Sequence, residues 1–216
     1  MKKMLILGGT GGLGKNMTEL LSEKYKVTSV GSKDLDVTDF TQLQDYFNNN
    51  QFDIVLNLSG YNYDSFLHKY NNETIKEAEK QIRVNVQGCV NLLAACLPSM
   101  RENKYGRIIL LSSVLSRAPL AGTSIYSASK SFIDSLVRTT TLENLSKGVT
   151  CNSIQLGYFD AGMAHRIPEH IREAIINKIP LKRFGSMNEL FNTIEYLINT
   201  EYMAGASISV NGGISV

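Results

Sequence analysis

Met4-Leu5-Ile6-Leu7-Gly8-Gly9-Thr10-Gly11-Gly12-Leu13-Gly14 decides the fold. Its four apolar residues read as a short buried strand. Five glycines fall within the next seven positions. Leu13, Met17, Leu20 and Leu21 then recur at helical spacing through about Lys24. Strand, glycine-rich turn and helix together make a cradle for phosphate. Glycine lets the backbone approach a ligand closely, and a helix N-terminus offers free N–H groups at the positive end of its dipole. Glycine also serves ordinary tight turns, so the strand before and the helix after give this turn its meaning.

Outward from that unit the chain alternates. Lys26 to Val30 is a second strand, ending at Gly31-Ser32-Lys33. The apolar Leu35 to Val37 follows almost at once. A parallel crossover needs a dozen or more residues, so either these two segments are not parallel neighbours joined by a helix, or that helix is trimmed to a loop. Thr38 or Asp39 caps a helix with Phe40, Leu43 and Phe47 on its apolar face. Phe52 to Leu58 is a strand, and 61–72 a polar, aromatic loop. A long helical pattern runs from Glu73 to about Met100, with Pro98 marking its end. Arg107 to Leu111 is a strand closed by Ser112-Ser113, and the next helix stops at Gly148. Val149 to Leu156 is a strand closed by Gly157. The segment 158–179 is irregular, with a short helix after Pro168. Asn188 to Ile198 is the last helix and Ala206 to Val210 the last strand. Such alternation predicts one α/β domain over 1–216, a doubly wound parallel sheet of about seven strands with helices on both faces. Ligands bind outside the carboxyl ends of such strands, where the Gly8–Gly14 turn, Gly31–Lys33, Asn57–Gly60, Ser112-Ser113 and Gly157 all fall.

Composition narrows the function classes. With 43% hydrophobic and 19% charged residues the chain is ordinary for a globular protein. A net charge of +2 without a basic, aromatic-interleaved stripe speaks against nucleic acid. No apolar run reaches the length of a membrane span, and the apolar start breaks at Gly8-Gly9, too soon for a signal peptide. A reduced, cytoplasmic setting is expected. Cys89, Cys96 and Cys151 are odd in number and widely spaced, which reads as small core residues. His68, His165 and His170 fit no metal spacing, so no metal is expected.

Tyr126-Ser127-Ala128-Ser129-Lys130 opens a long helix and places a phenol and an ammonium on one face. A serine hydroxyl arrives from the strand ending in Ser112-Ser113. That trio points to proton chemistry on an alcohol or a carbonyl. Taken singly, each residue has a plainer reading: a surface pair on a helix, a turn-forming Ser113, an Asn85 that interrupts its helix by bonding a loop.

Gly8-x-x-x-Gly12-x-Gly14, Asn57-x-Ser59-Gly60, Asn85, Ser113 and Tyr126-x-x-x-Lys130 stand in the order and spacing of the short-chain dehydrogenase/reductase family. The tail Val210-Asn211-Gly212-Gly213 resembles that family's usual Val-Asp-Gly-Gly, and the likeness runs along essentially the whole chain, nearest the 3-oxoacyl-acyl-carrier-protein reductase branch. The resemblance implies a Rossmann-type fold and a nicotinamide dinucleotide. By it, Tyr126 is the acid/base, Lys130 favours the phenolate and holds the nicotinamide ribose, Ser113 bonds the substrate oxygen, and Asn85 anchors a water in a proton relay. Ser112 is less suited, because strand alternation turns it the other way. The implied cofactor contacts are Gly8, Thr10, Gly11, Gly12, Leu13, Gly14, Ser32, Lys33, Asp36, Val37, Asn57, Ser59, Gly60, Tyr126, Lys130, Gly157 and Phe159.

The chain also departs from the family. Leu7 replaces a threonine, Leu58-Ser59 an Asn-Ala pair and Leu156 a proline. Ala161 stands where a threonine often bonds the nicotinamide amide, a contact that backbone around Phe159 can supply instead. The short 158–179 segment implies an open or small substrate lid. At the tip of the second strand an acid would bond a ribose 2′-hydroxyl and repel a 2′-phosphate. Ser32 and Lys33 stand there instead, with Asp34 close behind, so NADP(H) is expected over NAD(H). The expected activity is hydride transfer between NADP(H) and a ketone or secondary alcohol, a small-molecule carbonyl or alcohol substrate. The alternative is a catalytically idle dinucleotide-binding sensor or scaffold subunit, which would be free to lose the tetrad Asn85, Ser113, Tyr126 and Lys130. Family likeness further implies a homodimer or homotetramer packed through the two long helices and the last strand.

Overall fold

The computed structural model describes residues 1–161 and 168–214. Its strands are β1 (Lys3–Leu7), β2 (Lys26–Val30), β3 (Ile54–Asn57), β4 (Gly106–Ser113), β5 (Val149–Leu156) and β6 (Ser207–Val210). They form one sheet in the order β2-β1-β3-β4-β5-β6, every pairing parallel. The helices are α1 (Gly12–Ser22), α2 (Phe40–Asn49), α3 (Ile75–Ile82), α4 (Gly88–Glu102), α5 (Ser124–Asn144), α6 (Glu169–Lys178) and α7 (Met187–Asn199).

Period-two alternation sorts the strand side chains into two layers. Met4 and Ile6 of β1, with Ile54 and Leu56 of β3, pack against Met17 and Leu21 of α1 and Leu190 and Ile194 of α7. Leu5 and Leu7, with Val55, Ile108 and Leu110, face Leu43 and Phe47 of α2, Cys89, Leu92 and Cys96 of α4, and Ile133 and Val137 of α5. Both faces of the sheet are thus covered, which is why its strands read as continuous aliphatic runs. Each fully buried aliphatic side chain contributes about 1.5–3 kcal/mol of transfer free energy. The three cysteines are buried and free. Burial pushes the Cys89 thiol up to about 11 and Cys96 up to about 12, so both behave as apolar packing groups at neutral pH.

Three expectations are corrected. The sheet has six strands rather than about seven, because Leu35–Val37 forms no ladder. The chain turns directly after β2, with Asp34 N and Leu35 N bonded to Gly31 O, both at 3.0 Å. Asp36 N donates to Gln42 Oε1 (2.7 Å) and Thr38 N to Asp36 Oδ1 (2.9 Å). Side chains therefore consume the backbone donors a strand would need, while Leu35 and Val37 stay buried as plugs. Pro98 does not end its helix; it lies inside α4, which continues to Glu102 with Met100 buried. The pattern from 73 to 100 is also not one uniform helix. Arg83–Gln87 winds as a π-helix between α3 and α4, a local widening that recurs at functional sites.

Both cap expectations hold. Asp39 caps α2 by accepting from Gln42 N. Gly148 ends the α5 region at φ +73°, where a Cβ would stand 2.2 Å from Lys104 O. Register aligns the strand ends: Leu7 with Val30 and Asn57, Ser113 with Leu156, Leu156 with Val210. The residues that follow each strand therefore gather along one edge. Connections leave β1 and β3 for opposite faces of the sheet, so a crevice opens between those strands at the point where the winding reverses. Among the described residues no helix is long and apolar enough to cross a membrane, and no cluster of His, Cys, Asp and Glu is placed to hold a metal.

Candidate active site

The crevice floor is the turn after β1. Gly8 has φ +76°, and a Cβ on it would meet Ser59 N at 2.7 Å. A Cβ on Gly14 would lie 2.2 Å from Gly8 O and 2.5 Å from Gly9 Cα. The N-terminus of α1 is thereby drawn tight against the turn. Its N-cap, Gly11, has no side chain to cap it, so the first amides, from Gly12, Leu13 and Gly14, keep donors for an incoming anion. Thr10 and Gly11 are exposed at the rim. A backbone cradle closed to side chains, with uncapped amides at its mouth, fits the pyrophosphate of a dinucleotide.

At the tip of β2, a Cβ on Gly31 would meet Thr10 Oγ1 at 2.5 Å. Ser32 and Lys33 are exposed beyond it. Asp34 turns back, and Oδ2 accepts from Gly31 N at 2.9 Å. Asp36 spends its carboxylate on Thr38, while Val37 is buried against Gly88 of α4. At the end of β3, Asn57 is buried, and its Oδ1 accepts from Ser59 N at 3.0 Å and from Ser59 Oγ. That local turn sets the path of Leu58–Gly60 past the cradle.

Tyr126 lies in the first turn of α5, half-buried. Lys130 is one turn deeper and buried, with Nζ 5.6 Å from the centre of the Tyr126 ring. Nζ donates to Leu111 O at 2.7 Å, which ties the ammonium to β4. Ser112 Oγ donates to Lys130 O at 3.1 Å. Ser113 Oγ accepts from Leu115 N at 3.1 Å, so its own O–H remains a donor. The two serines thus point to different partners, as strand alternation expects.

Asn85 sits in the π-turn and is buried. Oδ1 accepts from Tyr61 N (2.9 Å); Nδ2 donates to Tyr61 O (2.8 Å) and to Ser129 Oγ (3.1 Å). The carboxamide therefore staples the loop after β3 to the helix that carries Tyr126. Gly60 marks the convergence: a Cβ there would stand 3.6 Å from Asn85 Oδ1 and 3.7 Å from Lys130 Nζ.

On the β5 side, Gly157 N donates to Val210 O at 2.9 Å. Phe159 is buried and bridges to Gly185, and its carbonyl accepts from Ala161 N at 2.8 Å. Its side chain is core, so any cofactor contact it makes is through backbone. Of the expected lid, 158–161 and 168–179 are described and α6 is its helix; residues 162–167, with His165, lie outside the described residues.

Several contributors escaped the sequence reading. Tyr61 acts through its backbone, which no side-chain pattern reveals. Leu111 supplies a carbonyl. Ser129 lies within the Tyr-x-x-x-Lys stretch, and only its partner Asn85 shows its use. Tyr158 follows Gly157 directly; burial first, then the charges of Asp64 and Tyr126, hold its proton above the ordinary phenol range.

The family model described as enoyl-(acyl carrier protein) reductase matches residues 8–215. Nodulation protein G of Azospirillum brasilense is 33% identical over 165 residues, covering 76% of this chain and 66% of that protein, just under two thirds. The 3-oxoacyl-(acyl-carrier-protein) reductase MabA of Mycobacterium tuberculosis is 28% identical, covering 100% of this chain and 93% of its own. The reductase FabG of Rickettsia felis is 27% identical over 99% of this chain and 96% of its own. A match over nearly the whole length makes this chain a member of the short-chain dehydrogenase/reductase family and an NAD(P)-dependent oxidoreductase.

Proposed function

We propose that the protein reduces a ketone to a secondary alcohol, or runs the reverse oxidation, with NADP(H) and with Tyr126 as the proton donor. The observation that carries this reading is the placement of Tyr126 over a buried Lys130 whose ammonium is fixed at Leu111 O. A free phenol holds its proton too tightly to exchange it readily at neutral pH, and a fixed cation one helical turn away stabilises the phenolate left behind. An ammonium has three donors; the bond to Leu111 spends one, and the others suit the ribose hydroxyls. Ser113 donates its O–H to the carbonyl oxygen and polarises it. Asn85, stapled to Tyr61 and Ser129, holds the helix start and the loop in register for proton resupply. A nicotinamide held here would supply the hydride to the carbonyl carbon, and Tyr126 would give its proton to the oxygen.

The amides of Gly12, Leu13 and Gly14 would hold the pyrophosphate, with Gly8, Thr10 and Gly11 shaping its approach. Asn57, Ser59 and Gly60 would line the central ribose, Gly157 and the Phe159 backbone the nicotinamide, and Asp36 and Val37 the adenine. Ser32 and Lys33 are exposed beyond β2 while Asp34 is engaged with Gly31 N–H, an arrangement that favours a 2′-phosphate. Titration should show NADPH binding about tenfold tighter than NADH, a difference of about 1.4 kcal/mol, and Lys33→Ala should narrow the gap. Tighter NADH binding would overturn this preference. Exposed Val90 on α4 and Leu142 on α5 support self-association through those helices. Light scattering that finds a homodimer or homotetramer fits, and a monomer at micromolar concentration contradicts.

The reaction itself is tested with 4-deuterated NADPH and a ketone panel. Deuterium should appear on the carbinol carbon of the product. Ketone-dependent loss of NADPH absorbance without label transfer would contradict hydride transfer.

A further inference from the structure

On the α5 side of the sheet the aliphatic layer gives way to a polar one at the β5–β6 end. Ser153 and Gln155 of β5 share a face by period-two alternation, and register sets Ser207 and Ser209 of β6 beside them. Ser153 Oγ and Ser207 Oγ are 2.8 Å apart, and Ser209 Oγ donates to Gln155 Oε1 at 2.7 Å. Both β5 side chains then turn to one carboxylate on α5. Ser153 Oγ donates to Asp134 Oδ1 at 2.7 Å, and Gln155 Nε2 donates to Asp134 Oδ2 at 2.7 Å.

A third donor comes from the turn after β4. Ser116 Oγ donates to Asp134 Oδ2 at 2.6 Å, and Ser116 O accepts from Ser131 Oγ of α5 at 2.9 Å. Asp134 is 7% exposed, and among the described residues no cation lies within ion-pair distance of it. Burying a carboxylate is costly unless its oxygens are hydrogen-bonded. Charge-assisted bonds offset that cost, but only while all three donors keep their places. The carboxylate therefore favours one placement of the turn relative to α5 and β5.

That turn, Val114–Ser116, follows Ser113 directly, and Leu115 N donates to Ser113 Oγ at 3.1 Å. On the near side of Ser113, Lys130 Nζ on Leu111 O and Ser112 Oγ on Lys130 O already tie α5 to β4. Asp134, one helical turn beyond Lys130, ties α5 to the chain on the far side. Ser113 is thus clamped from both directions to the helix of Tyr126.

We propose that Asp134 is a positioning residue: through Ser116 it fixes the turn after β4, and with it the Ser113 hydroxyl, against the helix that presents Tyr126. The proposal rests on the reading of the site as a ketone reductase. There, Ser113 from β4 and Tyr126 from α5 must reach one carbonyl oxygen, and their relative placement sets the rate. The role is one of place rather than of charge, so asparagine can fill it. With Nδ2 in place of Oδ1, Ser153 accepts from it and turns its own proton to Ser207, while Ser116 and Gln155 still donate to the remaining oxygen.

The test uses the whole protein, NADPH, and three probe ketones: cyclohexanone, ethyl acetoacetate and an acetoacetyl thioester. Ser116→Ala leaves Ser153 and Gln155 on Asp134 and frees only the turn; it should lower kcat about tenfold. Asp134→Leu should lower kcat by at least as much, whereas Asp134→Asn should keep it within about threefold of the parent. The dissociation constant for NADPH should stay within about threefold in all three variants. In a Ser113→Ala background, Ser116→Ala should change kcat by less than about twofold, because no hydroxyl is left to place. Thermal melts establish which variants fold; should Asp134→Leu not fold, the other two decide. An unchanged kcat in Ser116→Ala, or a fall of the same size with and without Ser113, overturns the positioning role and leaves Asp134 a structural group. Asp134→Asn as slow as Asp134→Leu, or slowed tenfold while folded, overturns it in favour of a role for the charge. Each of these outcomes leaves the reductase reading standing. No turnover of any probe ketone by the parent, with NADPH bound, overturns that reading and the proposal with it.

Discussion

The turn after β1 and the segment after β5 border the same crevice and are held by different forces. The first is backbone against backbone. Gly8 touches the chain after β3, and Gly14 touches Gly8 and Gly9, at distances that leave no room for a Cβ. The second is held by side chains and loops. Tyr158 stacks on Phe184, Arg172 lies 4.6 Å from the Phe184 ring centre and pairs with Asp160, and the Arg183–Glu189 ion pair stands at the edge. The cofactor side therefore tolerates almost no change of residue type, whereas the substrate side can be rebuilt by exchanging side chains on a fixed sheet. That division would let members of one family share a cradle while their substrate sides differ.

The largest effect that would sharpen this contrast is Gly14→Ala. Its Cβ meets main chain that cannot swing aside, so we expect a stability loss of about 1–3 kcal/mol together with loss of dinucleotide binding. Gly60→Ala, on the chain after β3, is the matched control for stability, because its Cβ makes only ordinary contacts at 3.6 and 3.7 Å; its melting temperature should stay near the parent's. Equal losses in both would break the distinction. Next is Asn85→Ala, which leaves the Tyr61 amide without its acceptor. A cost of about 1–3 kcal/mol is expected, seen as a lower melting temperature together with lower kcat. A stability loss without a catalytic one would reduce Asn85 to a structural staple.

Ser186→Ala is expected to be milder. Ser186 and Glu189 form a capping box at the start of α7, and its loss should cost about 1 kcal/mol, or about 2–4 °C in a chain of this size. The smallest effect is in acid. Arg183, with the Ser186 backbone N–H, lowers Glu189 from the usual carboxylate range to about 2. The folded value is depressed, so this stabilisation is present above about pH 4.5 and is lost as the pH falls towards 2. With the pair partly exposed, the contribution is modest. Glu189→Gln should flatten the acid limb of a melting-temperature profile between pH 5 and 2; an unchanged limb would detach the ion pair from stability.

Legibility in the sequence follows the same division. The cradle was readable because a backbone approach demands glycine and a following helix, and Gly8 to Gly14 carry both demands openly. Asp39 and Gly148 were readable as caps for the same local reason. The missing strand was not: Leu35 and Val37 are apolar and buried as a strand would be, but Gln42 and Asp36 side chains take the donors a ladder needs. The π-turn at Asn85 hides inside a continuous helical stripe. Pro98 misled because packing of Met100 outweighs the lost hydrogen bond. The polar character of 61–72 was visible, but the path of that loop is set by backbone bonds from Tyr61, Tyr63 and Ser65 to distant residues, and no spacing rule encodes those.

The most direct test of the proton-transfer assignment is Tyr126→Phe, with NADPH affinity and ketone turnover measured on the same preparation. The expected result is a dissociation constant within about threefold of the parent, a shift of less than about 1 kcal/mol, and a kcat lower by about 10²–10⁴. Turnover that survives undiminished would contradict the role given to Tyr126 and, with it, the reading of the crevice as a carbonyl reductase site built on that residue.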